Sequence, residues 1–428
     1  MLLYTRILIL RGESFLVNRR RAAMSFIFVT VALDMLALGI IIPVWPTLVK
    51  SFTGANDSKA SLAIGLMSVL FAATQFFAAP ILGVLSDRFG RRPVVLLSNL
   101  GTAIDYVIMA LAPSILWLYV GRALSGVMSA SIPTAYAYIA DVTPPEKRAG
   151  AYGLISGAFG LGFVVGPALG GWLGGFDPRL PFWVAAALGA ANFLYGLVVL
   201  PESLPAEKRR VRSELQRANP LGSLRLLRSH RELFGIATVV FIGYIAHEVY
   251  PTVYVLYGQH RYGWNTATLG IGLAIVGISS VVVSVLLSQR AVDTLGARNA
   301  LLSGLFFGGV GFWMFGSPST VLFWIAIPIN ALWGIAGSAE QVFMTSRVRH
   351  DEQGELQGAL GALRSVAMIG APMIFAGIFA YFIRGGPSGI EFPAAPWYLA
   401  AVLLFASIPV AWVVTGRAQV APAVPEAS

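Results

Sequence analysis

The sequence predicts an all-α membrane protein whose twelve transmembrane helices form two pseudo-symmetric six-helix bundles, and three observations predict it. Of 428 residues, 57% are hydrophobic and 12% charged, with 46 Gly, 24 Pro and a mean hydropathy of +0.74, whereas a soluble domain carries about 25% charged residues. A membrane span needs roughly 20 apolar residues, and the apolar runs with their charged or Pro/Gly breaks give twelve: near 24–50, 60–84, 93–112, 115–139, 150–174, 181–200, 232–257, 266–288, 299–316, 319–345, 356–382 and 394–415. A basic stretch, 201–231, divides six spans from six.

Residues 1–23 hold an apolar decapeptide and then Arg19-Arg20-Arg21, with no small-residue cleavage site before the first span. They read as a cytoplasmic extension, and Met24, where the first span opens, is an alternative start. The N-terminal bundle, 24–200, places Asp34 in its first span. Its second and third spans are joined by Gly83-Val84-Leu85-Ser86-Asp87-Arg88-Phe89-Gly90-Arg91-Arg92. So charged a turn cannot lie in hydrocarbon, and it caps two helices at one face of the bilayer. Asp87 at a helix end can accept hydrogen bonds from arginines or a neighbouring helix N-terminus, Gly83 allows close helix approach and Gly90 permits the turn. The plainer alternative makes Arg88, Arg91 and Arg92 membrane-surface anchors.

Asp105 lies in the third span, where it can meet Arg122 of the fourth or line a cavity. Asp141, followed by Val142-Thr143-Pro144-Pro145, reads as a capping or loop-latching acid near the interface. The fifth span has glycines at 153, 157, 160, 162, 166, 170, 171, 174 and 175 around Pro167. Such density suits two helices that approach and slide, with a bend at the proline.

The linker 201–231 carries eight basic residues and a candidate amphipathic surface helix at Leu215–Leu227. In the C-terminal bundle, 232–415, the seventh span holds His247-Glu248, the tenth Glu340-Gln341 and the eleventh Arg364. Intramembrane charges are costly and usually functional. Adjacent residues lie about 100° apart on a helix, so one of His247 and Glu248 faces a cavity squarely. Glu248 is the better candidate, sharing a face with Tyr244 and Pro251. Glu340 and Arg364 can either neutralise each other or contact substrate. The eighth–ninth loop repeats the earlier turn: Asp293, Gly296 and Arg298 have the spacing of Asp87, Gly90 and Arg92. This suits parallel repeats about an axis along the membrane normal. Residues 416–428 form a tail.

The net charge of +10 follows topology rather than nucleic acid. With the spans placed as above, 23 of the 30 Lys and Arg fall on the side holding both termini and five on the other, with Arg122 and Arg364 inside spans. The positive-inside rule then puts both termini and the Gly83–Arg92 turn in the cytoplasm. Cysteine is absent, which excludes disulfides and thiolate metal sites.

Taken in order, Leu33-Asp34 with Ile42-Pro43-Val44-Trp45-Pro46, the Ser86–Pro93 turn, Asp105-Tyr106, Leu118-Tyr119-Val120-Gly121-Arg122 with Gly126, Gly160-Leu161-Gly162 with Gly166-Pro167 and Gly170-Gly171, Arg261-Tyr262-Gly263-Trp264-Asn265, and Glu352-Gln353-Gly354 with Leu356-Gln357-Gly358 carry a resemblance. From Met24 to about Trp412 the chain resembles the major facilitator superfamily, and more closely its tetracycline-resistance type of drug/proton antiporters. The resemblance implies the major facilitator fold and a gate in which the second–third loop latches the two halves on the cytoplasmic side. It implies transport roles for Asp34, Arg122 and Asp105, and exchange through an antiporter motif at Gly157, Gly162, Gly166, Pro167, Gly170 and Gly171. It does not extend to the family's eighth-span histidine and ninth-span acid, which Ile278-Ser279-Ser280-Val281 and Ser303–Gly308 lack.

These residues predict a proton-coupled antiporter exporting a small amphipathic organic compound, tetracycline-like in type, from a bacterial inner membrane, without cofactor or metal, as a monomer. Proton-coupling candidates are Asp34, Asp105, Arg122, Glu248 and His247. Substrate candidates are Gln75, Tyr136, Tyr244, Tyr254, Asn330, Trp333, Glu340, Gln341 and Arg364, since aromatic faces beside carboxylates favour a planar cationic or zwitterionic molecule. Gating candidates are Gly83, Asp87, Arg88, Gly90, Arg91, Arg92, Asp141, Asp293, Gly296 and Arg298. Trp172, Trp183, Trp264 and Trp397 lie near span ends and read as interfacial anchors. A metabolite importer or facilitator is one alternative, and a non-transporting receptor or scaffold is another. Enzymatic activity is not expected: there is no nucleotide loop, and His230, His247, His260 and His350 are scattered.

Overall fold

In the computed structural model, residues 26–129, 131–144, 148–205, 207, 209, 227, 231–349, 352–386 and 389–418 are described, and their regular structure is helical throughout. The expectations for residues 1–23, for Leu215–Leu227 apart from Leu227 itself, for His230 and His350, and for the tail beyond 418 lie outside these residues. The helices are α1 (Phe26–Ile41), α2 (Trp45–Phe52), α3 (Asp57–Phe89), α4 (Arg91–Leu111), α5 (Ile115–Met128), α6 (Ser131–Val142), α7 (Arg148–Gly174), α8 (Leu180–Val199), α9 (Arg231–His247), α10 (Val249–Tyr262), α11 (Thr266–Val282), α12 (Ser288–Phe315), α13 (Thr320–Ala331), α14 (Gly334–Thr345), α15 (Gln353–Phe382) and α16 (Ala395–Ala418).

Ten helical stretches are long and apolar enough to cross a membrane, and α1 with α2, bent by 42°, makes an eleventh. One of the ten, Thr266–Phe315, is 50 residues long and turns at Gly296, whose φ of 76° and ψ of 153° are not helical. Split there, the chain has the twelve spans expected. A π-turn at Val283–Leu287 interrupts the eighth span before this point.

Three spans are broken where the sequence removes a hydrogen bond. Proline has no N–H to bond the carbonyl four residues earlier. Pro46, Pro133 and Pro251 therefore leave Ile42, Ser129 and His247 without that partner, and the helix breaks at 42–44, after Met128 and at Glu248. Glu248 keeps only a short-range bond, its N–H donating to the Ile245 carbonyl at 3.1 Å.

The C-terminal helices close on an aromatic core of Tyr250, Tyr257, Phe312, Phe315, Phe323 and Trp397. Trp397 is 0% exposed and is not an interfacial anchor; its ring lies 5.0 Å from Phe315. Trp172 and Trp183 are exposed, as anchors require.

The helices before and after the linker touch at the face remote from the Gly83–Arg92 turn. There Ser58 and Ser61 of α3 donate to the Ala380 and Ala376 carbonyls of α15 at 3.1 and 3.0 Å, and Thr266 of α11 donates to the Gly171 carbonyl of α7 at 3.1 Å. Gln259 of α10 donates to Thr47 of α2 at 2.7 Å. Hydrogen bonds thus join the two sets of helices at the face remote from the turn, the closed face.

Candidate functional site

Among the N-terminal helices, two buried polar centres flank the interior. Asn192 of α8, itself fully buried, donates from Nδ2 to Asp34 Oδ1 at 2.8 Å and to the Thr30 carbonyl at 3.0 Å, fixing the carboxylate on α1. Asp105 of α4 is 0% exposed and pairs with Arg122 of α5, Nη2 to Oδ2 at 3.4 Å. Of the two roles expected for Asp105, pairing with Arg122 is the one formed. Gly121 makes the room, since a Cβ there would enter the Asp105 carboxylate. The Arg122 guanidinium lies 5.0 Å from the Trp45 ring and 5.4 Å from that of Phe71, so cation–π attraction from both supports it.

The C-terminal helices gather a second constellation around the seventh-span break. Arg364 of α15 lies within Coulombic reach of Glu248, His247 and Tyr244, and Tyr244 also within reach of Glu340. Glu340 and Arg364 do not pair: among the described residues neither forms an ion pair, and Arg364 lies within Coulombic reach of the seventh-span His247 and Glu248. His247 stands 6.2 Å from the Trp333 ring and 6.1 Å from that of Tyr250.

Several substrate candidates are corrected by packing. Tyr254 is 1% exposed, and its hydroxyl donates to the Leu269 carbonyl at 3.1 Å. Asn330 accepts from the Tyr250 hydroxyl at 2.8 Å and donates to the Gly308 carbonyl at 3.0 Å. Both are buried core groups already hydrogen-bonded within the protein. Tyr136 leans on Tyr152 of α7 at 5.4 Å. Gln75 is half-buried opposite Gly126, and Gln341 is exposed on α14.

The turn is built more tightly than its charges suggest. Arg91 bridges Asp87 at 2.5 Å and Asp141 of α6 at 3.1 Å, so Asp141 latches the loop as expected. Gly90 has φ 106° and ψ 162°, a conformation that glycine supplies without strain. Gly296 adopts nearly the same one. The repeat extends to the arginines: Arg92 donates to the Leu197 carbonyl of α8 at 2.7 Å, and Arg298 to the Trp412 carbonyl of α16 at 3.2 Å. It stops at the acids, because among the described residues Asp293 accepts only from Gln289 of its own helix. Arg88 is exposed over Phe89. Gly83 is exposed with nothing near its missing side chain, so the helix approach expected there is not made.

Sequence reading missed Glu202. Its carboxylate accepts the backbone N–H of Arg91 at 2.8 Å, of Arg92 at 3.3 Å and of Leu204 at 3.0 Å, capping α4 from the start of the linker. The available signal was an acid in Leu200-Pro201-Glu202 immediately after the sixth span. Losing a helix cap costs about 0.5–2 kcal/mol. Glu202→Ala is therefore expected to speed amide hydrogen exchange at Arg91 and Arg92 by about twofold to thirtyfold while leaving the core of α4 protected.

On α7, Gly162, Gly166 and Gly170 form a stripe that takes the backbone of Met35, Gly39 and Ile40 on α1. Gly171 turns to α11, where its Cα and that of Gly270 meet beside the Pro167 carbonyl. Gly157 lies outside both seams.

The Major Facilitator Superfamily profile matches residues 27–372. The chain is 36% identical over 390 residues to the tetracycline resistance protein, class C, of Escherichia coli, covering 90% of this chain and 96% of that one. It is 35% identical over 363 residues to the class G protein of Vibrio anguillarum, covering 84% and 91%. A bacterial homologue of the human lysosomal transporter Spinster, solved in an inward-facing and unoccupied conformation, superposes with a TM-score of 0.74 at 17% identity, covering 96% of this chain and 99% of that one.

Proposed function

The chain belongs to the major facilitator superfamily, and from that premise we propose that it is a proton-coupled antiporter exporting a small, amphipathic, tetracycline-like compound by alternating access. The observation that carries the reading is the near full-length similarity to tetracycline resistance proteins. The geometry supports it with intramembrane carboxylates in both halves, Asp34 and the fully buried Asp105 before the linker and the half-buried Glu248 and Glu340 after it. In this reading residues 24–200 and 232–415 are the two moving bundles, joined by 201–231, in a bacterial inner membrane. The turn face is cytoplasmic, both termini lie there, and the monomer is the working unit.

Coupling follows from where the charges stand. Asp34 is oriented by Asn192, which donates to one of its carboxylate oxygens, and in this reading it is the first-span acid that takes up the proton. Asp105 is committed to Arg122 and serves as its counter-ion. Glu248 sits at a helix break within reach of Arg364, where gain or loss of its charge changes the field at the cavity wall. Proton and cationic substrate compete for these acids: protonation from outside releases substrate, and deprotonation toward the cytoplasm restores the site. The eighth- and ninth-span residues expected of tetracycline exporters are absent, so cargo selection rests on His247, Glu248, Trp333, Glu340 and Arg364.

Proteoliposomes with an imposed pH gradient test this. A panel of tetracyclines and planar cationic dyes should give substrate-dependent proton flux in the parent, and Asp34→Asn or Glu248→Gln should lower it by at least tenfold. Flux of substrate indifferent to the gradient would rule out antiport.

A further inference from the structure

The closed face holds a group of charged residues that neither the transport reading nor the family similarity assigns. Asp57, at the first turn of α3, is bonded by Lys50 of α2 through Nζ and Oδ1 at 2.5 Å and by His260 of α10 through Nδ1 and Oδ2 at 2.7 Å. His260 Nε2 in turn lies 3.5 Å from Glu391 Oε2, and the edge of its ring meets Phe379 of α15. Beside this chain runs the Gln259–Thr47 bond. Lys50 and Asp57 precede the linker, whereas His260 and Glu391 follow it. The series thus spans the seam that must part for the cavity to open on this side.

A neutral imidazole can satisfy only half of this arrangement. With its proton on Nδ1 it donates to Asp57, but its bare Nε2 then faces the Glu391 carboxylate lone pair to lone pair. A second proton turns that contact into a donated, charge-assisted bond. It also balances Lys50 and His260 against Asp57 and Glu391, which otherwise carry one excess negative charge. The charged groups facing His260 among the described residues are Asp57, with Lys50 behind it, and Glu391; Arg261 is its exposed chain neighbour, and Phe379 brings no charge.

We propose that Lys50, Asp57, His260 and Glu391 form a proton-operated clasp that holds this face shut, closing more tightly as the compartment it meets becomes acidic. The proposal rests on the alternating-access and orientation reading above, under which that compartment lies outside the cytoplasm. The sign follows from linkage: the doubly bonded imidazole of the closed face holds its proton better than the free imidazole of the open face, so proton binding favours closure. The extra closure is fully present below the free histidine value of about 6.5 and is lost at higher pH; below about 4 the carboxylates protonate and the clasp weakens again. A protein driven by an inward proton gradient would thereby resist opening outward when the outside is already strongly acidic.

The chain has no native cysteine, so spin labels at Phe176→Cys, in the turn after α7, and Val321→Cys, in the first turn of α13, both exposed, can report the width of this face by double electron–electron resonance in nanodiscs. Between pH 8 and pH 5.5 the closed-to-open ratio of the parent should rise about tenfold more than that of His260→Gln. His260→Lys, a fixed cation, should be as closed at pH 8 as at pH 5.5. Glu391→Gln, at a largely exposed position, should lower the response, and it serves if His260→Gln does not fold. A parental pH response in His260→Gln, or in Glu391→Gln when that is the variant available, overturns the clasp, as does His260→Lys no more closed at pH 8 than His260→Gln. Because no substrate is needed, failure of the clasp is separable from failure of the flux assay.

Discussion

Replacing Arg122 with glutamine is expected to be the most damaging single change in the interior. Asp105 has no exposed surface, and its carboxylate is partnered by that guanidinium at 3.4 Å. Taking one member from a buried ion pair strands the other, at a cost of about 3–5 kcal/mol. The double variant Arg122→Gln with Asp105→Asn removes both charges and should recover most of the loss, because what destabilises is the unpaired carboxylate rather than the missing attraction. Thermal unfolding in detergent measures this: the single variant should melt well below the parent and the double close to it. Equal melting of single and double variants would show that Arg122 acts through its stacking on Trp45 and Phe71. Transport should be absent in both.

Gly171→Leu is expected to produce the largest change in conformation. A side chain at this position runs into the Thr266 carbonyl and the Cα of Gly270, backbone atoms that cannot move aside as a flexible side chain would. Overpacking of this sort costs about 1–3 kcal/mol, all of it charged to the state in which α7 and α11 touch. The equilibrium should move toward opening of that face by roughly fivefold to 150-fold, and labels at Phe176 and Val321 should move apart. Gly157→Leu is the matched control: open space stands at that position, so the label distance should stay as in the parent. If Gly171→Leu leaves the distance unchanged, the α7–α11 contact does not govern opening.

The spans were legible because a bilayer allows few alternatives: each stretch of about 20 apolar residues between charged breaks has one use. The broken spans were not read from the sequence, although Pro46, Pro133 and Pro251 carry the signal for them. The equivalence of the two turns was legible from spacing, and the matching backbone of Gly90 and Gly296 adds a cause, since both positions need a dihedral that side chains resist. Partnership was much less legible. That Arg364 comes within reach of Glu248 and does not pair with Glu340 depends on the rotation of α15, which periodicity does not fix when a helix is apolar all round. Trp397 sits near a span end like Trp172, yet it is buried because Phe315 and Tyr257 converge on it. Glu202 escaped notice because capping is made by approach of the linker to α4, an encounter 111 residues apart in sequence.

Ser58 and Ser61 give the closed face a further property. Their hydroxyls donate across the seam to backbone carbonyls of α15, acceptors that stay put whichever way the bundles lean. Elsewhere on the same helix Ser68 and Thr74 donate instead to carbonyls four residues back, Ile64 and Leu70. Ser61 has such an acceptor at Asp57. When the bundles separate, its hydroxyl can rotate about χ1 and exchange a partner on the opposite bundle for one on its own helix, keeping the number of hydrogen bonds constant. At Ser61 the seam is thus fastened by an interchangeable bond, and its parting need not leave that hydroxyl stranded in a lipid-surrounded interior.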